Sequence, residues 1–465
     1  MIDPATGTAR ALDILVLVPH EPSLDPRIHY TATAMARQHR VTVLATVLPR
    51  QSRARTERVE EVGYKVIRLA CPLLPRPGML LQFLWMAAQA PAPPHQPQAP
   101  SRPSGDARPL PLWRRIKANL IYLLLTGSVN HTLQRHLQNH HLQNHHLQDH
   151  PARPDIVFCH DLYTLQTGVM LKRKTGLRPM QPGLRPMQPG LRLAYDSHEY
   201  YPYQYIHPSF VRPTLWYERK LVTHVDLYTT ISPELARELE SVFGMPGIEV
   251  IPNAEPSPLV AIQPLGTEMD RLAAGRRKLL YQGNFVEGRG LEEIIREWAT
   301  VDHTRCALFL RGPENSAKDD LKALATRLGL MDRSLYFLPP VLEKDLIPAA
   351  AEADIGIIPY KADLPAYRFA CPNKLSQYMH AGIAVMTNDI PFVAGMVRAH
   401  GLGWIYDIRQ PGSFAGMVAA TLDDRALREN RASASAAART TYRWETYEAR
   451  LAGLIARMTP PEDVS

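Results

Sequence analysis

Residues 278–293 read KLLYQGNFVEGRGLEE, and this stretch decides the fold. An aliphatic run that ends at Gln282 predicts a buried strand, and the residues after Gly290 are expected to open a helix. The glycines between them let the backbone approach a ligand closely, and Arg289 can pair with a diphosphate through its planar guanidinium. The turn is neither G-x-G-x-x-G nor G-x-x-x-x-G-K-[ST], which disfavours a dinucleotide dehydrogenase and a P-loop ATPase.

The same alternation of short aliphatic runs and helix-length segments covers most of the 465 residues. It predicts parallel strands connected by helices, and the chain length suits two domains. We therefore expect an α/β protein with two doubly wound, Rossmann-like domains. The predicted strands lie at 14–18, 41–46, 64–70, 155–159, 192–196, 226–231, 248–251, 278–281, 306–310, 334–338, 355–359 and 384–387.

A polar stretch with prolines after Pro252 marks the boundary between the domains. We place an N-terminal domain at 1–255 and a C-terminal domain at 256–440. Residues 441–465 hold a final helix whose single apolar stripe needs a domain face to bury it. Three segments of the first domain resemble insertions, namely the segment 91–111 with eight prolines and the short tandem repeats at 136–150 and 176–189.

A second strand-to-helix junction lies at 370–385, which reads ACPNKLSQYMHAGIAV. Pro372 suits the start of a helix and Gly382 its end. Lys374 would lie in the first turn, within reach of a phosphate, and Gln377 one turn further, where it can bind hydroxyl groups. The alternative is an amphipathic helix on which both side chains only face water. Because helix N-termini at the ends of parallel strands attract phosphate, two such junctions in one domain favour a nucleotide site.

The net charge of +8 comes from the first third of the chain, since residues 1–150 hold 17 Lys and Arg against 9 Asp and Glu. A basic surface favours anionic partners such as a lipid diphosphate or a phospholipid surface, and a merely solubilising face is the alternative. Residues 113–125 combine basic, aromatic and apolar side chains as an interfacial helix would, with a core helix as the alternative. Nucleic acid is disfavoured because no binding module for it is recognisable.

Targeting and redox features point to the cytoplasm, with the inner face of the cell membrane as a candidate surface. The four cysteines form no C-x-x-C pair, and the apolar stretch at 14–18 is too short for a signal peptide. No run approaches the roughly 20 apolar residues of a membrane span. The His-rich repeat at 136–150 does not keep metal ligands on one helical face, and the chain contains no D-x-D motif, so we expect no metal.

The motifs resemble those of the GT-B glycosyltransferases, specifically the retaining family 4. In the second half, the resemblance lies in Y-Q-G-x-F-x-x-G-R-G-L-E at 281–292, A-D-I-G-I-I-P-Y at 353–360 and P-N-K-L-x-x-Y-M-x-A-G at 372–382. In the first half, it lies in D-P-R-I at 25–28, C-H-D-L at 159–162, Y-D-S-H-E at 195–199 and V-I-P-N-A at 250–254. The resemblance implies a GT-B fold, with an interdomain cleft and a C-terminal helix that packs back across the domains.

The resemblance also implies roles for individual residues. Arg289 would hold the diphosphate of the sugar donor with help from Lys374, and His160 would reach the donor sugar. Without the resemblance, His160 at the end of a buried strand would be interpreted as structural. The other donor-binding candidates are Gly283, Asn284, Glu287, Gly312, Asn373 and Gln377, and the acceptor-side candidates are Asp25, Arg27, His198 and Glu199.

One departure from the family concerns its E-x7-E pair, which is replaced here by Phe369 and Gln377. Gln377 can still bond a diol, but it has no charge with which to strengthen those bonds. We expect a metal-independent enzyme that moves a sugar from a nucleotide diphosphate sugar to a lipid-linked, polysaccharide or other saccharide acceptor, with retention. The alternative is a catalytically weakened relative that binds nucleotide sugars or acts as a scaffolding subunit. The enzyme hypothesis requires Arg289 and Lys374 to face one shared site.

Overall fold

The structure is a computed structural model that describes residues 11–47, 58–61, 63–71, 126–138, 154–176, 190–203, 208–258, 260–361 and 365–458. The predicted segments at 91–111 and 113–125 lie outside the described residues. The predicted repeats at 136–150 and 176–189 also lie outside the described residues, except for 136–138 and Gly176.

The chain divides into two compact units, each built on one sheet. The first contains the residues up to Ile251 together with those from Glu448 onward, and the second contains Pro252–Tyr447. The inner strands of each sheet are short, mostly aliphatic and buried on both faces, as the sequence pattern predicts for parallel strands with helices on either side. The chain therefore has the two α/β domains that the sequence predicts.

The sheet of the first unit has the strand order β3-β4-β2-β1-β5-β6-β7-β8. Its neighbours run parallel except for β3, which pairs antiparallel with β4. The strands are β1 Asp13–Val18, β2 Arg40–Val47, β3 Arg58–Glu61, β4 Tyr64–Ala70, β5 Ile156–His160, β6 Arg192–Ser197, β7 Leu227–Thr230 and β8 Glu249–Val250. The α-helices are Pro26–Ala36, 126–138, Leu162–Gly176, Pro208–Val222 and Pro233–Phe243.

The sheet of the second unit is fully parallel, with the order β11-β10-β9-β12-β13-β14. Its strands are β9 Arg277–Gln282, β10 Cys306–Arg311, β11 Leu335–Leu338, β12 Ile355–Ile358, β13 Ala384–Asn388 and β14 Gly403–Tyr406. Its α-helices are Met269–Ala273, Leu291–Trp298, Ser316–Arg327, Leu346–Ala350, Pro365–Arg368, Asn373–His380, Pro391–His400, Ser413–Ala420 and Asp424–Thr440.

The last described helix, Trp444–Met458, buries the apolar stripe that its spacing predicts. Its first turn is joined to the second unit, because the Trp444 amide donates to the Glu255 carbonyl at 2.9 Å. Its later turns belong to the first unit, where Arg450 and Arg457 both pair with Glu249, at 2.6 and 2.9 Å.

Two edge strands were not predicted. β3 reads RVEE and β14 reads GWIY, and neither is an aliphatic run. Both lie at the edge of a sheet, where one side of the strand needs no partner and the demand for continuous apolar residues is relaxed.

Candidate active site

The glycine-rich turn lies at the carboxyl end of β9, where the sequence pattern places it. The amide of Gly283 donates to the Arg311 carbonyl at 2.9 Å, and the Tyr281 hydroxyl donates to the Asn284 carbonyl at 2.6 Å. The side chains of Asn284 and Glu287 are exposed, and the Glu287 carbonyl accepts a hydrogen bond at 3.1 Å from the hydroxyl of Tyr367, in the helix Pro365–Arg368. The backbone of the turn is therefore anchored, while its polar side chains face solvent.

Gly283 and Gly312 approach each other because two neighbouring parallel strands, β9 and β10, end at the same edge. A Cβ atom at position 312 would overlap the carbonyl oxygen of Gly283 and lie 2.7 Å from a ring carbon of Phe285. Gly283 itself has φ +145°, in the region that favours glycine, and a Cβ there would lie 3.2 Å from the Nζ of Lys374. Both glycines keep open the space in front of this strand edge.

Arg289 and Lys374 converge on one aromatic ring, that of Tyr360, which follows β12. The Arg289 guanidinium carbon lies 4.2 Å from the ring centroid of Tyr360, and the Lys374 Nζ lies 5.6 Å from it. A second ring holds each cation, since Arg289 lies 4.9 Å from the Tyr367 centroid and Lys374 lies 4.9 Å from that of Tyr281. The two predicted cations thus share a surface of three rings, which we call the tyrosine shelf (Tyr281, Tyr360 and Tyr367).

The electrostatics of this pair favour an anion. Within the part of the chain that the structure describes, Lys374 has no hydrogen-bond or ion-pair partner, and only ring faces hold its ammonium group. Burial and the nearby positive charge of Arg289 together hold the pKa of Lys374 well below its ordinary value. A bound anion would offset both the loss of solvation on burial and the repulsion between the two cations, because it supplies the opposite charge and replaces the lost water.

Lys374 and Gln377 project from the helix Asn373–His380, which begins after Pro372 as predicted. Asn373, the first residue, is exposed. Gln377 is only 8% exposed, and its Nε2 donates to the Oε1 of Glu255 at 3.3 Å. The Ser376 hydroxyl accepts from the Glu255 amide at 2.8 Å, which holds this carboxylate beside the helix.

Sequence reasoning missed Glu255, although it directly follows the V-I-P-N-A motif. A carboxylate thus lies next to Gln377, on a residue 122 positions earlier in the sequence. At the first position of the pair, Phe369 is 9% exposed and lies under the guanidinium of Arg368.

A polar cluster occupies the carboxyl ends of β5 and β6 in the first unit. His160 ends β5 and lies opposite Asp196 of β6 in the sheet register. The His160 Nδ1 lies 3.2 Å from the Asp196 Oδ2 and 3.0 Å from the His198 Nε2. His160 is fully buried, and its Nε2 has no hydrogen-bond partner among the described residues.

His198 joins His160 to the carboxylates of the cluster. Its Nε2 lies 2.6 Å from Asp196, and its Nδ1 lies 3.4 Å from Asp161 and 3.7 Å from Asp25. Burial alone would lower the pKa of His198, but Asp196 and Asp161 outweigh it and raise the pKa to about 9. His198 is therefore an imidazolium at neutral pH.

Asp161, in the C-H-D-L motif, is a further functional candidate that its residue type alone does not indicate. It has φ +67°, a left-handed backbone that is uncommon outside glycine and often marks a functional site. Its carboxylate accepts a hydrogen bond from the Tyr201 hydroxyl and lies 3.6 Å from the Nε2 of His20. Burial would raise the pKa of Asp161, but His198 and His20 lower it to about 2.

Arg27, an acceptor-side candidate, is enclosed within the first unit. It is 6% exposed, and its guanidinium forms a bidentate pair with Asp196, at 2.9 and 2.7 Å. The charge of Arg27 is therefore paired with Asp196 inside the first unit. Of the other acceptor-side candidates, Asp25 and His198 belong to the cluster, whereas the Glu199 carbonyl accepts from the Ser197 hydroxyl at 3.0 Å.

The side chains of His160, Asp196 and His198 come close enough to suggest a metal site, with ligand atoms within 4.8 Å of one another. However, both oxygens of Asp196 already accept hydrogen bonds from Arg27, and Oδ1 also accepts one from Thr229 at 2.6 Å. The positive charges of Arg27 and His198 oppose a further cation here. We therefore assign the group a hydrogen-bonding role.

Comparison with known families decides the class of protein. Residues 24–254 match a family model described as a glycosyl transferase 4-like domain, and residues 276–424 match one described as glycosyl transferases group 1. The chain belongs to the group 1 glycosyltransferases. The polar cluster lies in the part of this glycosyltransferase that the first model covers, and the tyrosine shelf lies in the part that the second covers.

Solved structures agree with the fold of the glycosyltransferase. Sucrose-phosphate synthase from Thermosynechococcus elongatus has a TM-score of 0.65 at 13% identity, covering 96% of this chain and 99% of that one. A UDP-forming α,α-trehalose-phosphate synthase from Burkholderia vietnamiensis has a TM-score of 0.63 at 12% identity, with 96% and 99% covered. Anabaena HepE, in complex with UDP and glucose, has a TM-score of 0.60 at 13% identity, with 96% and 100% covered.

A search of curated proteins found no match to this glycosyltransferase. Among the described helices, none combines the length and the apolar character that crossing a bilayer requires.

Proposed function

We propose that the protein transfers a sugar from a nucleotide diphosphate sugar to a hydroxyl of a lipid-linked or saccharide acceptor, with retention at the anomeric carbon. One observation carries this proposal: Arg289 and Lys374 meet over Tyr360, beside the Gly283 turn, at the carboxyl edge of a parallel sheet. This edge is where α/β sheets bind ligands, and paired cations next to glycines match a diphosphate.

Catalysis in this proposal is electrostatic. The bond between the anomeric carbon and the diphosphate oxygen breaks, and the bond from the acceptor oxygen to the same carbon forms on the same face of the sugar. The acceptor proton passes to the departing phosphate oxygen. Arg289 and Lys374 stabilise the charge that develops on the diphosphate, and the first amides of the helix Asn373–His380 assist them.

The remaining site residues bind and orient the substrates. Gln377 and Glu255 together offer an amide and a carboxylate to the ribose hydroxyls, so the charge missing from Gln377 is available from its neighbour. His160 meets a hydroxyl of the donor sugar, with Asp25, His198 and Glu199 as acceptor-side candidates. The proposal requires the polar cluster and the tyrosine shelf to act on one sugar across an interdomain cleft, which stays a prediction.

Two proteins with similar structures support a first choice of substrate. One relative is described as UDP-forming and another as in complex with UDP and glucose, which supports UDP-hexoses as the first donors to test. The basic first third of the chain supports an anionic acceptor, such as a lipid diphosphate at the inner membrane face in the cytoplasm.

A donor panel with a crude membrane-lipid acceptor tests the proposal. We expect transfer with at least one nucleotide sugar, and a fall in kcat of about 10²–10³-fold for Arg289→Ala and for Lys374→Ala, the usual effect of removing one charge-stabilising group. Arg398→Ala is the matched control, because Arg398 is exposed and its ion pair in the described residues is with the exposed Asp389. Transfer unaffected by Arg289→Ala would refute the assigned diphosphate site.

Independence from metal needs its own measurement. We expect activity to survive chelation by EDTA, because the proposed leaving-group charge is met by two side-chain cations. Loss on chelation with recovery on adding Mn²⁺ or Mg²⁺ would refute this part of the proposal.

Gln377→Glu separates an active enzyme from a weakened relative. If Glu255 already supplies the charge, a second carboxylate about 3.3 Å from it introduces repulsion, and donor affinity should fall. A rise in turnover would instead indicate that the missing family acid limits this protein, and would favour the scaffolding alternative for the natural chain.

A further inference from the structure

Aromatic rings, rather than an acidic side chain, hold the ammonium group of Lys374 within the described part of the chain. Its Nζ lies 4.9 Å from the ring centroid of Tyr281 and 5.6 Å from that of Tyr360. Both distances fall within the roughly 6 Å over which the face of a ring attracts a cation. A ring face leaves the hydrogens of the ammonium group available to a ligand.

Tyr281 connects this cation to the glycine-rich turn. Its side chain is fully buried at the end of β9, with its ring facing Lys374 and its hydroxyl donating to the Asn284 carbonyl at 2.6 Å. A Cβ at Gly283 would lie 3.2 Å from the Lys374 Nζ, so the ammonium group also packs close to the turn. One buried side chain therefore contacts both the cation and the turn.

Tyr360 brings the second cation to the same place. The guanidinium carbon of Arg289 lies 4.2 Å from the centroid of this ring, and Tyr360 is only 4% exposed. Two neighbouring cations repel each other, and burial together with Arg289 lowers the pKa of Lys374. A ring attracts both cations through the negative potential of its face, without a net negative charge that would repel a phosphate.

We propose that Tyr281 and Tyr360 are positioning residues that hold Lys374 and Arg289 in place for a diphosphate through cation–ring attraction. A carboxylate in the same place would neutralise the cations and repel the ligand, whereas a ring keeps both charges available. That the ligand is a diphosphate rests on the proposed function, whereas the ring contacts do not.

Calorimetry with UDP and with inorganic pyrophosphate tests the role of the rings. At each of the two positions, the Phe variant and the Leu variant both lack the hydroxyl, and only the Phe variant keeps the ring. We expect Tyr281→Phe and Tyr360→Phe to bind both ligands about 10-fold more tightly than Tyr281→Leu and Tyr360→Leu, the effect of one desolvated cation–ring contact. Equal affinities in the Phe and Leu variants would overturn the proposal. So would a difference for UDP without one for pyrophosphate, because the rings would then act on the nucleoside.

Tyr336 offers the matched control. It is a buried residue of β11 in the same sheet, and its ring centroid lies 5.8 Å from the guanidinium carbon of Arg276, which is not a candidate site residue. We expect Tyr336→Phe and Tyr336→Leu to differ in stability but not in their affinity for UDP or pyrophosphate. A difference in affinity as large as that at Tyr281 would show that loss of any buried ring has this effect, and would contradict the proposal.

Proton NMR of the full chain labelled with ¹³C-lysine provides a measurement that needs no ligand. Because ring faces shield nearby protons, we expect the Lys374 side-chain signals to lie upfield of those of other lysines, and Lys374→Arg assigns them. The upfield shift should persist in Tyr281→Phe and largely disappear in Tyr281→Leu. Its absence from the wild-type spectrum would overturn the proposal, and that spectrum decides even if the Leu variants do not fold.

The outcomes distinguish this inference from the proposed function. A protein that shows the upfield shift and the Phe–Leu difference in pyrophosphate binding, but transfers no sugar, would refute the function and keep the role of the rings. Transfer that needs Arg289, with equal affinities in the Phe and Leu variants, would do the reverse.

Discussion

Gly312 provides the sharpest test of how the glycine edge is built. A Cβ at this position would overlap the Gly283 carbonyl oxygen and come within 2.7 Å of Phe285. Neither neighbour can move away easily, because the Gly283 amide is hydrogen-bonded to the Arg311 carbonyl and Phe285 is only 2% exposed in the core. Overpacking a fixed site costs typically 1–3 kcal/mol, so we expect Gly312→Ala to destabilise the protein by about 3 kcal/mol.

The same change should displace the turn that faces Lys374, and we expect UDP to bind at least 10-fold more weakly in calorimetry. Urea denaturation followed by circular dichroism measures the stability. The control is Gly453→Ala, since Gly453 is exposed within a helix and a Cβ there meets nothing within 4 Å. It should gain about 0.5–1 kcal/mol and leave UDP binding unchanged. Wild-type stability and UDP affinity in Gly312→Ala would refute this account of the turn.

Three further predictions concern protonation. The pKa of His198 is raised to about 9 in the folded protein, so the stability that its charge contributes is complete below the unfolded pKa of about 6.5 and is lost as pH rises through 9. Thermal unfolding measured across this pH range should show the loss of stability. In the variant His198→Gln, this pH dependence should disappear. Burial raises the pKa of Glu218 to about 7, so folding favours its protonated form and the stability of the protein falls as pH rises from about 4.3 through 7. In urea denaturation, Glu218→Gln should raise the free energy of unfolding at pH 8 and change it little at pH 4. Equal changes at the two pH values would contradict this prediction. Burial and Arg289 lower the pKa of Lys374, so the binding of UDP should take up as much as one proton and should weaken as pH rises. Calorimetry in two buffers of different ionisation enthalpy measures this proton uptake. The variant Lys374→Met should abolish it.

Much of the architecture could be predicted because parallel strands are buried on both faces and leave aliphatic runs in the sequence. The run at 155–159 became β5, and KLLYQ became the end of β9. Edge strands leave no such signal, which is why RVEE and GWIY were missed. Local sequence patterns are a good guide to which helices and strands form, and a poorer guide to how many strands each sheet contains.

The candidate site was predictable where a motif carries its own chemistry, as with Arg289 and Lys374. It was not predictable where two distant strands must align. Asp196 lies opposite His160 only because β5 and β6 pair in one particular register, and no local pattern specifies that register. The same holds for Glu255, which reaches Gln377 across 122 positions of sequence.

The sharing of the last helix between the two units has a consequence for synthesis. Glu249 and Arg37 of the first unit find their partners Arg450, Arg457 and Glu448 only near the end of the chain. At about 5–20 residues per second, a ribosome needs roughly 10–40 s to add residues 252–447 between them. The first domain therefore leaves the ribosomal exit tunnel first but is completed last. While the second domain is translated, the first domain lacks these ion pairs.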